Sequence, residues 1–348
     1  MRILLIRTSS LGDIVHCLPA LRALRQGLPA AHIGWVVEDV FAPLLARDPD
    51  LDEVLVVGLR RWRRSPFEVA TLREMRAGLG RVSDYGADVV LDLMGNHKAG
   101  VLAAITSCDR RVGLEARLRR ERSSAAWLSE WVGARGDHAV DRALAVAAAV
   151  SGSDRFLGFG SEQIRAAAGE APSGGNPGGH VVIHPGAAWA SKRYPADRWG
   201  RVAAAIERST GCRVVVSAGP GEAALAEQVE RASGGTAARA DASDLPRLVG
   251  LLGGAALVLG GDTGPLHLAH ALGVPTLFLH GPTDPRTHGP YGAPERALRG
   301  SPSDCAPGKS THRGGSAAGV DIPETVVIER ALALIGEPRP PTSAQNSV

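Results

Sequence analysis

Short apolar runs rich in Val, Ile and Leu alternate along this chain with stretches of helical spacing, and they do so on both sides of a segment crowded with Gly and Pro. Before that segment the runs are Met1 to Arg7, Ile33 to Glu38, Glu53 to Val57 and Ala87 to Leu93. After it they are His180 to His184, Arg213 to Ala218, Ala255 to Gly260 and Pro275 to Leu279. Helical spacing follows the polar loop Thr8–Asp13 as far as Leu28, and recurs over Pro195 to Thr210, Gly264 to Leu272 and Ile322 to Ile335. Strands separated by helices are joined by crossovers and run parallel, so both sheet faces are covered. The pattern predicts an α/β chain with two open, helix-covered parallel sheets.

The Gly/Pro-dense stretch from Gly169 to Gly179 is the natural linker. At 348 residues the chain suits two domains of the usual size, about 100–200 residues each. The expected division is a first Rossmann-like domain over 1–168, a linker over 169–179, a second Rossmann-like domain over 180–320 and a terminal helix over 321–336. Residues 300–319, polar and rich in Gly and Ser, read as a mobile loop, and 337–348 as a disordered tail. No residue-level repeat relates the two halves.

Composition narrows the function. No apolar run reaches the roughly 18 residues that span a bilayer, and Met1-Arg2 leads directly into a strand without a signal-peptide layout, so the expected location is cytoplasmic. The four cysteines, Cys17, Cys108, Cys212 and Cys305, have no C-x-x-C spacing and are expected reduced, with no cysteine metal site. A net charge of +3 gives no reason to expect a nucleic-acid partner. Charge is locally uneven, however: Arg60, Arg61, Arg63 and Arg64 crowd together, as do Arg117, Arg119, Arg120 and Arg122, beside an acidic stretch from Glu38 to Glu53. A polyanionic partner for the amino-terminal half is the reading this suggests.

Ligands of open α/β sheets bind beyond the carboxyl ends of the strands, and two such domains facing each other make a cleft. The loop Thr8–Asp13 occupies that place in the first domain, with Gly12 for a tight turn and Asp13 near the following helix start, where it is either a reactive carboxylate or a first-turn helix acid. The absence of G-x-G-x-x-G here argues against a dinucleotide-dependent dehydrogenase. In the second domain, Gly261-Asp262-Thr263-Gly264-Pro265 joins a strand to a helix. Its exposed N–H groups suit a diphosphate, with His267 one turn in, although D-T-G-P is equally a plain capping sequence. Lys192 follows the first strand of this domain, where a cation would compensate a leaving phosphate or simply be solvated. Glu222 follows Ser217-Ala-Gly-Pro-Gly and could accept from sugar hydroxyls or start a helix.

Together, T-S-S-L-G-D-I-V-H at Thr8–His16, H-P-G-A-A-W-x-x-K-R at His184–Arg193, G-D-T-G-P-L-H-L-A at Gly261–Ala269 and G-P-T-D-P at Gly281–Pro285 resemble the ADP-heptose:lipopolysaccharide heptosyltransferases of glycosyltransferase family 9. The R-R-W-R-R run at Arg60–Arg64, the strand end from Asp92 to Lys98 and H-A-V-D-R at His138–Arg142 are most similar to the type I members, which add the first heptose to Kdo on lipid A. The resemblance runs in order from Met1 to about Gly292. It implies a GT-B fold, two Rossmann-like domains facing across a cleft. It implies an inverting transfer that needs no metal and no cofactor, and Asp13 as general base. It assigns Ser10, Gly12, Ala187, Ala188, Lys192, Glu222, Asp262, Thr263, Gly264 and His267 to the ADP-heptose donor, and Arg60, Arg61, Arg63, Arg64, Lys98 and Arg120 to an acidic Kdo–lipid A acceptor. It also implies peripheral contact with the inner leaflet of the cytoplasmic membrane.

Two departures stand out. Some members carry a hydroxyl pair where this chain has Ala187-Ala188, so phosphate contacts there would fall to backbone N–H groups. Many have several cysteines near the carboxyl end, where this chain has Cys305 alone. The rival readings are a transferase of the same fold with another donor or a soluble acceptor, a nucleotide-sugar-binding protein without turnover, and a hydrolase or epimerase on a similar two-domain fold.

Overall fold

The computed structural model of the chain describes residues 1–169, 179–300 and 320–335. Most of the expected linker, the Gly/Ser-rich stretch with Cys305, and the tail lie outside these residues. The chain falls into two compact units, Met1–Ala168 and a second that begins at Gly169.

Among the described residues, the first unit carries strands β1 (Arg2–Ile6), β2 (His32–Glu38), β3 (Glu53–Val57), β4 (Val89–Asp92), β5 (Arg111–Leu114) and β6 (Glu130–Val132). Its helices are α1 (Leu11–Gly27), α2 (Leu59–Arg64), α3 (Val69–Asp84), α4 (His97–Ala104), α5 (Ala139–Ser151) and α6 (Ser161–Ala167). The second unit has β7 (His180–His184), β8 (Arg213–Val216), β9 (Ala238–Arg239), β10 (Leu257–Gly261), β11 (Thr276–His280) and β12 (Ala297–Arg299). Around them lie α7 (Ala196–Thr210), α8 (Ala223–Ala232), α9 (Leu245–Gly253), α10 (Gly264–Ala271), α11 (Pro285–His288) and α12 (Glu324–Leu334).

Both sheets are six-stranded and parallel throughout, ordered β3-β2-β1-β4-β5-β6 and β9-β8-β7-β10-β11-β12. The same doubly wound order is thus used twice, with the topological switch point between β1 and β4 in one unit and between β7 and β10 in the other. These are the two Rossmann-like sheets expected of a GT-B chain. The registers Ile6↔Asp92 and Gly260↔His184 set the carboxyl ends of the central strands side by side.

The longer runs in the sequence became strands within two residues of their expected ends, because an apolar run buried on both faces has little freedom of register. Arg7 falls just outside β1, and His280 inside β11. Strands β5, β6, β9 and β12 were not foreseen. At two to four residues each they carry no period to read.

Apolar burial holds each unit together. Leu4, Ile6, Val36 and Val57 meet Trp62, Val82 and Tyr85 in the first, and Val181, Ile183, Val214 and Leu259 meet Trp199, Ile206 and Val327 in the second. Each such side chain contributes about 1.5–3 kcal/mol on burial. Helix α1 is apolar around most of its circumference because it is buried around most of its circumference, with Ile14, Val15, Leu18, Leu21 and Leu24 no more than 1% exposed. One charge is buried with them. Arg22 pairs with Asp48 and Asp50, the latter at 2.6 Å, and donates to the Phe159 carbonyl. It ties α1 to the loop before β3 and to the segment entering α6. Cys17, Cys108 and Cys212 are free thiols, and burial pushes Cys17 up to about 12.

On the other face of the second unit's sheet His280 is fully buried at the end of β11, its ring stacked 6.0 Å from Phe278 and Nδ1 3.2 Å from Thr283 Oγ1. Burial pushes it down to about 4, against the pull of Asp262.

Two outcomes follow for stability. Arg22→Ala leaves two carboxylates uncompensated and is expected to lower unfolding free energy by about 3–5 kcal/mol in denaturant titration; a loss near that of a surface pair would contradict the buried role. His280 stays neutral in the fold while its unfolded counterpart takes a proton below about pH 6.5. Stability is therefore full above about pH 6.5 and declines as pH falls toward about 4, by up to roughly 3 kcal/mol. His280→Gln should flatten that decline, and an unchanged slope would remove the assignment.

Candidate active site

At the carboxyl edge of the first sheet, β1 ends at Ile6 and the next side chain, Arg7, turns inward. Its guanidinium donates to the Leu93 carbonyl beyond β4 at 2.5 Å and meets Asp13 Oδ1 at 2.7 Å. Burial opposes the Arg7 charge, but the Asp13 carboxylate outweighs it and raises the group above its ordinary value. The other Asp13 oxygen accepts from the Ser10 amide at 3.0 Å and the Ser10 hydroxyl at 2.8 Å. Ser10 is the N-cap of α1 and Asp13 the third residue of its first turn, so the carboxylate also meets the positive end of the helix dipole. A first-turn acid would explain the Ser10 contacts alone. It does not explain a half-buried arginine paired with the carboxylate, whose side chain remains 32% exposed. Gly12, expected to close a tight turn, is instead the buried second residue of α1.

The neighbouring strand β2 ends in Glu38, whose amide donates to the Thr8 carbonyl at 3.1 Å. Burial pushes the Glu38 carboxyl upward, while Arg60, Lys98 and Arg63 pull it down. The fold thus gathers these three cations, from α2 and α4, about one buried carboxylate. Arg60 Nε lies 2.8 Å from Glu38, with its guanidinium 5.4 Å from the Phe41 ring centre. Trp62 anchors α2 by burial and donates to Glu74 at 3.0 Å.

The two arginine clusters read as uniform basic surfaces in the sequence are divided by the fold. Arg61 is occupied by Asp39 and Glu74, and Arg117 by Glu115 at 2.6 Å. Arg119 is wholly buried against Asp92, which also accepts from the Met94 and Gly95 amides. Exposed Arg63, Arg64, Lys98 and Arg120 make no ion pair within 4 Å among the described residues. The acidic stretch is likewise spent on partners: Asp48 and Asp50 on Arg22, Asp52 on Arg25 at 2.7 Å.

In the second unit the loop after β7 crosses the end of β10. A Cβ at Gly261 would stand 2.8 Å from the Lys192 carbonyl, so a glycine is what permits this approach. The crossing brings Lys192 Nζ to 2.8 Å from Asp262 Oδ2, while His267 Nε2 donates to Oδ1 at 3.0 Å. Burial works against the Asp262 charge, yet the His267 hydrogen bond and the Lys192 ammonium hold it well below the usual carboxylate range. Lys192 is therefore not a freely solvated lysine. His267 faces the carboxylate rather than open solvent, with its side chain 6% exposed. Thr263 is the N-cap of α10, Gly264 its first residue, and Pro265 in the first turn has no N–H to satisfy.

Glu222 is the N-cap of α8 and its Oε2 accepts from the Gly219 amide at 2.9 Å. A Cβ at Gly186 would stand 2.0 Å from the same oxygen, so this carboxylate lies directly on the loop after β7. The buried His184 faces it at 3.9 Å and meets Ser217 Oγ at 2.9 Å; burial lowers the histidine against the pull of Glu222. In the same loop the Ala187 carbonyl accepts two hydrogen bonds from Arg193, at 3.1 and 2.9 Å, and Ala188 is exposed.

Arg7, Glu38, His184 and His280 were not singled out from sequence. Their common signal is a polar residue at or next to the last position of a buried apolar strand, where every one of them sits.

A model of glycosyltransferase family 9 (heptosyltransferase) matches residues 76–314. Lipopolysaccharide heptosyltransferase 1 of Pseudomonas aeruginosa is 35% identical over 329 residues, covering 88% of this chain and 86% of that protein. The Salmonella typhimurium protein of the same name is 30% identical over 305 residues, covering 85% and 93%. The solved Escherichia coli heptosyltransferase WaaC with ADP superposes with a TM-score of 0.75 at 26% identity, covering 87% of this chain and 94% of that one. With this likeness and two doubly wound sheets whose switch points carry the polar groups described, the chain is a glycosyltransferase and belongs to glycosyltransferase family 9, the heptosyltransferases.

Proposed function

We propose that the protein transfers L-glycero-D-manno-heptose from ADP-heptose to Kdo of the lipopolysaccharide inner core, by a single inverting displacement without a metal. The similarity to lipopolysaccharide heptosyltransferase 1, and to WaaC structures with ADP and with ADP-2-deoxy-2-fluoro heptose, supports the donor and the pathway. The observation that carries the mechanism is the Asp13 carboxylate, part exposed, held by the half-buried Arg7.

The acceptor hydroxyl attacks the anomeric carbon as its proton passes to Asp13. The bond from that carbon to the phosphate oxygen breaks, and its electron pair leaves with ADP. Arg7 sets a positive charge beside the Asp13 carboxylate, and the Ser10 contacts fix its orientation. Lys192 spends one N–H on Asp262 and keeps two for the departing diphosphate, assisted by the helix start at Thr263-Gly264. His267 secures Asp262 from the other side. Glu222 accepts from donor hydroxyls, and the backbone at Ala187-Ala188 takes the place of hydroxyl side chains.

The acceptor carries carboxylate and phosphate groups on a lipid. Arginine binds these bidentately and lysine as a point charge, which suits Arg60, Arg63, Arg64 and Arg120 together with Lys98, with Arg61 committed to its own partners. No helix among the described residues is long and apolar enough to cross a membrane. We place the enzyme at the cytoplasmic face of the inner membrane, held peripherally.

Incubation with ADP-heptose, with and without Kdo–lipid A, tests the whole reading. ADP release only with acceptor, and a product heavier by one heptose, is the expected result. ADP release without acceptor would point to a hydrolase, binding without release to a non-catalytic protein, and transfer only to soluble sugars to a different acceptor. Asp13→Asn should reduce turnover on the order of 10²–10⁴-fold with donor binding kept. Arg7→Gln should lower kcat at least about tenfold with donor binding kept, and Arg7→Lys should recover most of it. An unchanged kcat would remove Arg7 from the mechanism.

A further inference from the structure

Large apolar side chains exposed singly are ordinary on any protein surface, but a cluster with a charged border is not. Phe67 is 90% exposed, Val69 63% and Leu72 48%, within six positions. Phe67 lies in the turn between α2 and α3. Val69, Leu72, Arg73 and Arg76 follow at positions i, i+3, i+4 and i+7 of α3 and share its outward face, opposite the buried Thr71, Gly78 and Val82. Val40, 51% exposed, belongs to the short turn that meets Arg60 through Phe41 and Arg61 through Asp39.

The border is basic. Between Arg60 and Arg76 stand six arginines and two glutamates. Arg60 and Arg61 are paired and Glu74 is used by Arg61, which leaves Arg63, Arg64, Arg73 and Arg76 against Glu68 alone. None of these four arginines has an ion-pair partner within 4 Å among the described residues.

We infer that this face is a membrane-binding wedge: Phe67, Val69 and Leu72 enter the headgroup region of an anionic bilayer, and the surrounding arginines take its phosphates. Charge decides the occupant. A second copy of the chain docked symmetrically here would set one arginine border against its twin, whereas an anionic bilayer offers the opposite charge and an apolar layer at the same depth. The apolar stripe alone is small and the arginines alone are screened by salt, so both are required. The inference rests on the membrane-borne acceptor proposed above and adds the surface by which the enzyme reaches it.

Vesicle co-sedimentation of the full chain tests it, comparing phosphatidylglycerol-containing with purely phosphatidylcholine vesicles. Binding is expected to the anionic vesicles, to weaken as salt rises, and to fall at least about tenfold in both Phe67→Ser/Leu72→Ser and Arg73→Gln/Arg76→Gln. Both variants should keep wild-type turnover on a deacylated, soluble Kdo acceptor, which shows that they fold and that the reaction itself is intact. Unchanged vesicle binding in the apolar variant would overturn the wedge. So would a wild-type dimer in ultracentrifugation that Phe67→Ser/Leu72→Ser dissociates. Should the wild type bind vesicles as described but fail to transfer to either acceptor, the proposed reaction falls and the wedge stands.

Discussion

Ion pairs at the carboxyl edge of a parallel sheet hold the main charged groups of the candidate site in each unit. Helices cover both faces of each sheet, so the strand ends are where side chains can leave the apolar layer, and a charge placed there must be paired or lose its hydration without return. Arg7 with Asp13, Arg119 with Asp92, and Lys192 and His267 with Asp262 each meet that demand. The pairs also fix the loops that carry them. Arg7 joins the loops after β1 and β4 across one switch point, and Lys192 joins those after β7 and β10 across the other.

The two units solve the same problem with opposite signs. In the first, the cation is the more enclosed partner, 14% exposed, and the carboxylate, 32% exposed, the more open. In the second, the carboxylate is buried, 7% exposed, and an ammonium 16% exposed is presented. One arrangement suits taking up a proton, the other receiving a developing negative charge. A group-transfer reaction needs both.

The arginines separate into distinct populations that composition treats alike. Arg22 and Arg119 are internal braces, and Arg61 and Arg117 are held by acidic neighbours. Arg60 and Arg63 gather with Lys98 about Glu38, and Arg64, Arg73 and Arg76 border an apolar stripe. The last two groups adjoin one another through α2 and α3.

The sequence by itself determined the α/β class, the longer strands and the loops that bear the site, because buried parallel strands and glycine turns leave a local imprint. It also carried enough ordered motifs to reveal the family. It did not reveal that both halves share one strand order, since topology depends on pairing between distant segments, nor the short edge strands, which have no period. Asp13, Lys192 and Asp262 could be named from sequence, but not that Arg7 backs the first or that the other two touch. Lys192 and Asp262 stand 70 positions apart, and Arg7 is aimed at Asp13 while bonded to the Leu93 carbonyl 86 positions away; both arrangements arise only when the sheet aligns the ends of its strands. The difference between a bracing arginine and an available one was likewise decided by tertiary structure, because it depends on which carboxylate the fold brings within reach.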